Sequence, residues 1–380
     1  MTEDEAFPDV TVVTMRSGAK PQTATYHLMN VLVELTAVSL VTVTLAEESL
    51  IHGEYNVTEI SRGAKGNTLA GTLLAFLGNQ LRLCRELLGR DASVVYFFGG
   101  TAYVLPVLFA RLAGKTVVIQ PRGDVPLTLQ LEWEQRYPTA LARTLANLVR
   151  ALEFVSLAVS NRIVTYTESM ARELGLERFE HKLYPDGTRY IALDAFSPSV
   201  TYDRRDCRVG MVGRLDVEKG VEGLAEAVEF LSNDVEFLFV GDGDRRGWIE
   251  RRLADEIASE RVELTGRVDH CEIPEKLNNI KLLVLASQPT EGLPTVIQEA
   301  FACGTPVYAP PVSAIPDVVI EGETGFLMHD RSPAQIAADI EGILDSQDLS
   351  EISNNCREFA VENYSFEASV ERFRTLLSDL

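Results

Sequence analysis

The chain has 380 residues, 46% hydrophobic and 24% charged, and its 56 Asp and Glu outnumber 35 Lys and Arg for a formal net charge of -21. That length exceeds one ordinary core and suits two α/β domains of comparable size with a cleft between them, and the composition leaves no room for a long disordered tail. The charge sets the whole-molecule field against phosphate backbones, so no nucleic-acid partner is expected and any phosphate ligand must be captured locally.

In chain order, the opening MTEDEAFPDV is acidic where a secretory signal is basic and then apolar, so a cytoplasmic protein is expected, with a place at the inner face of the membrane left open. From Val10, short apolar runs alternate with longer helical patterns: VTVVTM, a helix over 26–36, SLVTVTLA, a helix over 69–88, SVVYFF and TVVIQP. This alternation predicts a parallel sheet covered on both faces. The uncharged stretch 94–110 approaches the length of a membrane span, but a β-rich run, Gly99-Gly100 and a segment broken by Pro106 read as strand, turn and helix. RIVTYT and ESMARELG follow, with Gly175 suited to a helix C-cap.

This first domain is set at 1–196. Periodicity then lapses into turn-formers and charges, with a linker near 196–206. The second domain, 206–362, repeats the scheme: strand 208–212, helix 220–231, EFLFVG, a helix from Trp248, VELTG, a short helix from Ile273, LLVLAS, helix 294–303 and PVYAP. Residues 363–380 form a last helix with Phe366, Val370, Phe373 and Leu377 on one face, and its return to the first domain is left open. Seven lysines against 28 arginines are compatible with a salt-loving cytoplasm and equally with an ordinary acidic enzyme. Cys84, Cys207, Cys271, Cys303 and Cys356 stand singly, without the spacing of a zinc site or a disulfide framework.

Ligands of open α/β sheets sit beyond the carboxyl ends of the strands, and the candidate motifs fall on such turns. In GMVGRLDVEKG, Arg214 and Lys219 follow Gly213 and suit a diphosphate; the competing reading is surface ion pairing of Arg214 with Asp216 and Glu218. In LFVGDGDRRG, Gly241 and Gly243 let backbone pass close to a neighbour, while Asp242 and Asp244 would repel a pyrophosphate. ELTGRVDHCEIPEKL offers main-chain groups near Val268 for a nucleobase. In TEGLPTVIQEAFACGTPV, Pro294 suits the first helical position, the turn at Gly292 points main-chain N–H groups at an anion, and Glu291 and Glu299 flank it as acceptors for ligand hydroxyls. The plainer alternative is dipole complement plus a solvated helix face.

Together GRLDVEKG, GDG, LTGRV, EGLPTVIQEAFACGTPV and ETGFL resemble the donor-binding half of the retaining glycosyltransferases with two Rossmann-like domains, the large family four of glycosyl transferases. The resemblance implies a GT-B architecture, two doubly wound parallel-sheet domains facing across a cleft, and transfer of a sugar from a nucleotide sugar such as a UDP- or GDP-hexose to a glycan or lipid-linked acceptor. It assigns Arg214 and Lys219 to the diphosphate, Glu299 to the ribose, Glu291 to a hydroxyl of the transferred sugar, Val268 to the base, and Gly213, Gly241 and the segment Gly292, Leu293, Pro294 and Thr295 to the donor site. Glu291, Arg214 and Lys219 would carry catalysis, with no cofactor and no divalent metal.

The first half departs from the family. Only Gly18, in RSGAKPQ, stands where a Gly-rich loop is usual, and QPRGD replaces a histidine-bearing turn, which puts Arg122 and Asp124 on the acceptor side. Pro185-Asp186-Gly187 stands where Pro-Asn-Gly is usual. The alternatives are an epimerase or phosphorylase of the same fold, or a non-catalytic sugar-nucleotide-binding subunit. The first half shows no basic amphipathic helix, so a peripheral membrane contact rests on a lipid-linked acceptor alone.

Overall fold

The computed structural model describes residues 7–15, 19–45, 49–60, 69–187, 189–290, 292–345 and 349–380. The chain divides into two units, Met1–Arg189 with Ser369–Leu380, and Tyr190–Ala368. Gly18 and Glu291 lie outside the described residues.

The first unit runs β1 (Val10–Thr14), α1 (Ala19–Val33), β2 (Val38–Thr42), α2 (Ile51–Glu54), β3 (Asn56–Glu59), α3 (Leu69–Leu88), β4 (Val94–Phe98), α4 (Val104–Leu112), β5 (Thr116–Gln120), α5 (Val125–Glu134), α6 (Thr139–Val159), β6 (Arg162–Val164), α7 (Glu168–Glu173) and β7 (Leu183–Tyr184). Its seven strands are parallel in the order β3-β2-β1-β4-β5-β6-β7. Every residue of VTVVT and VVYFF is buried, as continuous apolar strands covered on both faces require. On one face, Leu83 and Leu87 of α3, Val107 and Ala110 of α4 and Leu157 of α6 pack in one cluster with Val95, Phe97, Val117 and Ile119. The stretch 94–110 is thus strand, turn and helix, and no described helix is long and apolar enough to cross a membrane.

Helix α1 begins at Ala19, not near Tyr26, because Pro21 falls in its first turn, where a missing N–H costs nothing. Strand β3, NVTE, escapes a search for apolar runs because it is half-exposed and polar at both ends.

The second unit comprises β8 (Arg208–Val212), α8 (Val221–Val228), β9 (Glu236–Val240), α9 (Arg246–Arg252), α10 (Ala254–Ala258), β10 (Val262–Gly266), α11 (Ile273–Asn278), β11 (Leu282–Val284), α12 (Thr295–Ala302), β12 (Val307–Ala309), α13 (Ile315–Val318), β13 (Gly325–Leu327), α14 (Pro333–Leu344) and α15 (Leu349–Tyr364). Its six strands are parallel in the order β10-β9-β8-β11-β12-β13, so strand order reverses between β8 and β11. The segment before β8 is fastened to this unit by two guanidinium groups, Arg205 buried and Arg357 half-buried: Arg205 donates to Cys303 O at 2.6 Å and Ile280 O at 3.1 Å, and Arg357 to Ala302 O at 2.7 Å and Phe196 O at 2.8 Å.

The last helix, α16 (Phe366–Ser378), belongs to the first unit from Ser369 onward. Phe373 is buried with its ring 6.3 Å from that of Tyr96, and the Tyr184 hydroxyl donates to Arg372 O at 3.0 Å.

Helix α12 carries a local conflict. Gln298 is fully buried, and both of its amide atoms are without a hydrogen-bond partner. An unsatisfied buried polar group costs about 1–3 kcal/mol. Gln298→Met, similar in volume and apolar, is expected to raise stability by about 1 kcal/mol or more in a denaturant titration. A loss of stability would show that the amide is satisfied in solution, for example by a trapped water.

Candidate functional site

Three turns at the carboxyl ends of β8, β9 and β10 are joined by main-chain hydrogen bonds: Gly213 N to Val240 O at 2.9 Å, Leu215 N to Asp242 O at 3.0 Å, and Gly241 N to Gly266 O at 3.0 Å. Gly241, at φ +134, lies so close to Gly213 that a Cβ would collide with its carbonyl oxygen. The neighbour that the GDG loop passes is therefore the GRLD turn itself.

On the other side, where strand order reverses, Gly220 adopts φ +66 and a Cβ there would collide with the carbonyl oxygen of Ala286 just after β11. Gln288 N donates to Glu218 O at 2.8 Å. The Arg214–Lys219 turn is thereby fixed beside the segment that leads through Thr290 and Gly292 into α12, at the switch point where such sheets take ligands.

Within this frame Lys219 is buried. Arg214 is engaged by its own turn, Nη1 lying 2.5 Å from Asp216 Oδ2 and Nη2 meeting Glu218. The structure thus shows the ion pairing of Arg214 that the sequence reading weighed as the alternative. Asp216 is doubly used, because its Oδ1 also accepts from Asp244 N at 3.2 Å. Gly292, Leu293 and Pro294 are buried and Thr295 half-buried. Pro294 occupies the N-cap position with extended ψ, and α12 starts at Thr295, one residue later than expected. Val268 is half-buried on the turn after β10.

Glu299 is only 6% exposed. The structure pairs it with a residue the sequence analysis gave no role: His270 Nε2 lies 2.8 Å from Glu299 Oε1, the imidazole being 62% exposed and its ring 5.3 Å from that of Phe196. A carboxylate only accepts, so Nε2 carries the proton, and Glu299 Oε2 keeps its capacity for a ligand hydroxyl. No sequence signal links residues 29 apart on a loop and a helix; the packing of the β10 turn beside α12 does.

In the first unit, Arg122 lies over the Phe98 ring at 5.0 Å, beyond the ends of β4 and β5. Asp124 is a helix N-cap: its Oδ1 accepts from Leu127 N at 2.8 Å, and Arg150 pairs with Oδ2 at 3.1 Å. Near them Glu153 has its carboxyl pushed up to about 7, chiefly by burial. Asp186 of the Pro-Asp-Gly turn pairs with Arg372 of α16 at 3.0 Å.

Residues 206–346 match the family model described as glycosyl transferases group 1. The second unit is a group 1 glycosyl transferase region, and the chain has the GT-B fold. Among curated relatives, the alpha-D-kanosaminyltransferase of Streptomyces kanamyceticus is 27% identical over 340 residues, covering 84% of each chain. Among solved structures, Anabaena HepE in complex with UDP superposes with a TM-score of 0.76 at 14% identity, over 98% of this chain and 100% of that one. The same protein with UDP-glucose gives 0.69 at 16% identity, over 97% and 100%.

The hydrogen bond to Glu299 raises the His270 pKa above its ordinary value, with burial opposing. A histidine raised in the folded state contributes stability that is complete below the unfolded pKa and is lost as pH rises through the folded one. The melting-temperature advantage of the wild type over His270→Asn is therefore expected to be larger near pH 5 than near pH 9, on either side of the ordinary histidine value of about 6.5. Solvent at the exposed ring holds it to about 1 kcal/mol or less. A constant difference across that range would disconnect the imidazole from Glu299.

Proposed function

We propose that this glycosyltransferase moves a hexose from a nucleoside-diphosphate sugar to a hydroxyl of a glycan or lipid-linked acceptor, with retention of anomeric configuration and without a divalent metal. The observation that carries the proposal is the convergence, at one switch point, of a clamped cationic turn (Arg214, Lys219) with the segment entering α12 and its buried Glu299. A nucleotide sugar needs those groups: cations for the diphosphate, a carboxylate acceptor for ribose hydroxyls, and main-chain donors for phosphate and sugar oxygens.

On this reading Lys219 and Arg214 hold the diphosphate and stabilise the charge that grows as it departs. Arg214 exchanges its bonds to Asp216 and Glu218 for phosphate oxygens. Glu299 takes the ribose through Oε2, Val268 lies against the base, and Gly292 to Thr295 line the sugar phosphate. Glu291 accepts from a hydroxyl of the transferred hexose. Retention follows if the acceptor attacks on the face from which the diphosphate leaves. In the first unit Arg122 serves the acceptor, while Asp124, as a cap and ion-pair partner, acts by placing α5. The UDP and UDP-glucose complexes of HepE favour a uridine donor as the first to test, with GDP-hexoses next.

Charge-assisted contacts are worth about 1.5–3 kcal/mol each, so Lys219→Ala and Glu299→Ala are each expected to weaken UDP binding roughly 10- to 150-fold in calorimetry. Glu291→Ala should lower kcat with UDP affinity kept. Unchanged affinity in both Lys219→Ala and Glu299→Ala would remove the nucleotide from this site. An inverted anomeric centre, read from the product by NMR, would overturn the retaining mechanism.

A further inference from the structure

Among the described residues of this acidic chain, Glu299 alone of the Asp and Glu side chains is buried. It stands four residues into α12, about 6 Å along the axis from Thr295. A carboxylate taken out of water must be met by donors, and the protein supplies one, His270 Nε2 to Oε1. Oε2 has no donor among the described residues. The two oxygens of one carboxylate are thus in different states, one engaged and one open.

The engaged oxygen is held by a group that is itself fixed. His270 opens the turn His270–Glu272, which a capping box closes, Asp269 N donating to Glu272 Oε2 at 2.9 Å. The imidazole rests beside Phe196, and the chain there is tied to α11 by the buried Asn278, which donates to Ser197 O at 3.0 Å and accepts from Ser199 N at 2.8 Å. A donor fixed in this way pins the carboxylate plane of Glu299 and lowers the freedom a ligand must remove on binding. A tie between a loop and a helix needs no buried acid, since an exposed one makes the same bond at a smaller desolvation cost.

Ribose presents two neighbouring hydroxyls, and an unencumbered carboxylate accepts from both, one at each oxygen. Here Oε1 already accepts a short bond, and a side chain at 6% exposure offers little surface for a second one there. We infer that His270 is a specificity-determining positioning residue: it holds Glu299 by Oε1, so that the carboxylate grips the ribose of the donor by one hydroxyl through Oε2 and leaves the other unread. The inference rests on the reading that Glu299 faces the ribose.

The test is calorimetry on the full chain with a nucleoside diphosphate and its 2′-deoxy, 3′-deoxy and 2′,3′-dideoxy forms, in the uridine or the guanosine series, whichever binds more tightly. In the wild type one single-deoxy form is expected to bind within about twofold of the parent, and the other at least roughly tenfold more weakly, as weakly as the dideoxy form. His270→Phe, which keeps a ring beside Phe196 and frees Oε1, should make both single-deoxy forms weaker than the parent. His270→Gln, which keeps an N–H donor, should retain the wild-type pattern. Glu299→Ala should erase the difference between parent and dideoxy form. Equal losses for the two single-deoxy forms in the wild type would overturn the inference without any variant. So would a wild-type pattern left untouched by His270→Phe, which would make the pair a structural tie, or His270→Gln behaving as His270→Phe, which would assign the effect to the ring. A difference between parent and dideoxy form that survives Glu299→Ala would overturn the reading beneath it as well, because the ribose would then lie elsewhere. The absence of binding in either series would overturn both.

Discussion

At Gly241 and again at Gly220 there is no space for a single side-chain carbon, because the carbonyls of Gly213 and Ala286 occupy it. These two approaches hold the turn after β8 between the turns after β9 and β11, and the main-chain bonds at Leu215 and Gln288 complete the clamp. Everything proposed for the donor site depends on this frame. A lysine on a loose loop would give up rotamer and backbone freedom on binding, whereas Lys219, buried on a clamped turn, has lost most of that freedom during folding.

The same frame bears on how an acidic chain would tolerate the proposed phosphate site. Asp216 and Glu218 hold Arg214 in place, and Asp216 at the same time stitches the β8 turn to the β9 turn through Asp244 N. On the proposed reading a diphosphate would compete with two carboxylates for one guanidinium, and affinity would rest on what Lys219 and the main chain of the α12 entry add. Such an arrangement favours a ligand that brings a sugar and a nucleoside as well as charge, and it disfavours simple anions.

Much of the second unit was legible in sequence because its signals are local. A strand, a glycine and a charged turn within a dozen residues reveal both the element and its position at a sheet edge, and the GRLDVEKG and EGLPTVIQEA stretches fall where that logic puts them. What stayed hidden is non-local or lacks contrast. The His270–Glu299 pair joins a loop to a helix through tertiary packing, and no spacing rule reaches it. The start of α1 was masked by a proline that usually ends helices and here opens one. Asp124 shows the opposite failure: its position beside Arg122 suggested chemistry, and the structure gives its carboxylate to the α5 cap and to Arg150.

Asp186 poses the sharper question, because the resembling family usually has asparagine in this turn. The carboxylate pairs with Arg372 at 3.0 Å, and the Tyr184 hydroxyl two residues earlier donates to the carbonyl of the same arginine, so the turn fastens α16 to the first unit. The Asp186 pKa is raised by partial desolvation with Arg372 opposing, and with the side chain 52% exposed the effect on stability is small. For a carboxyl raised in the folded state the ionised form is disfavoured relative to the unfolded chain, a cost that is present at neutral pH and relieved as pH falls toward the carboxylate range. What the aspartate adds is a charge-assisted bond to the Arg372 guanidinium, stronger than the one an amide oxygen would make there.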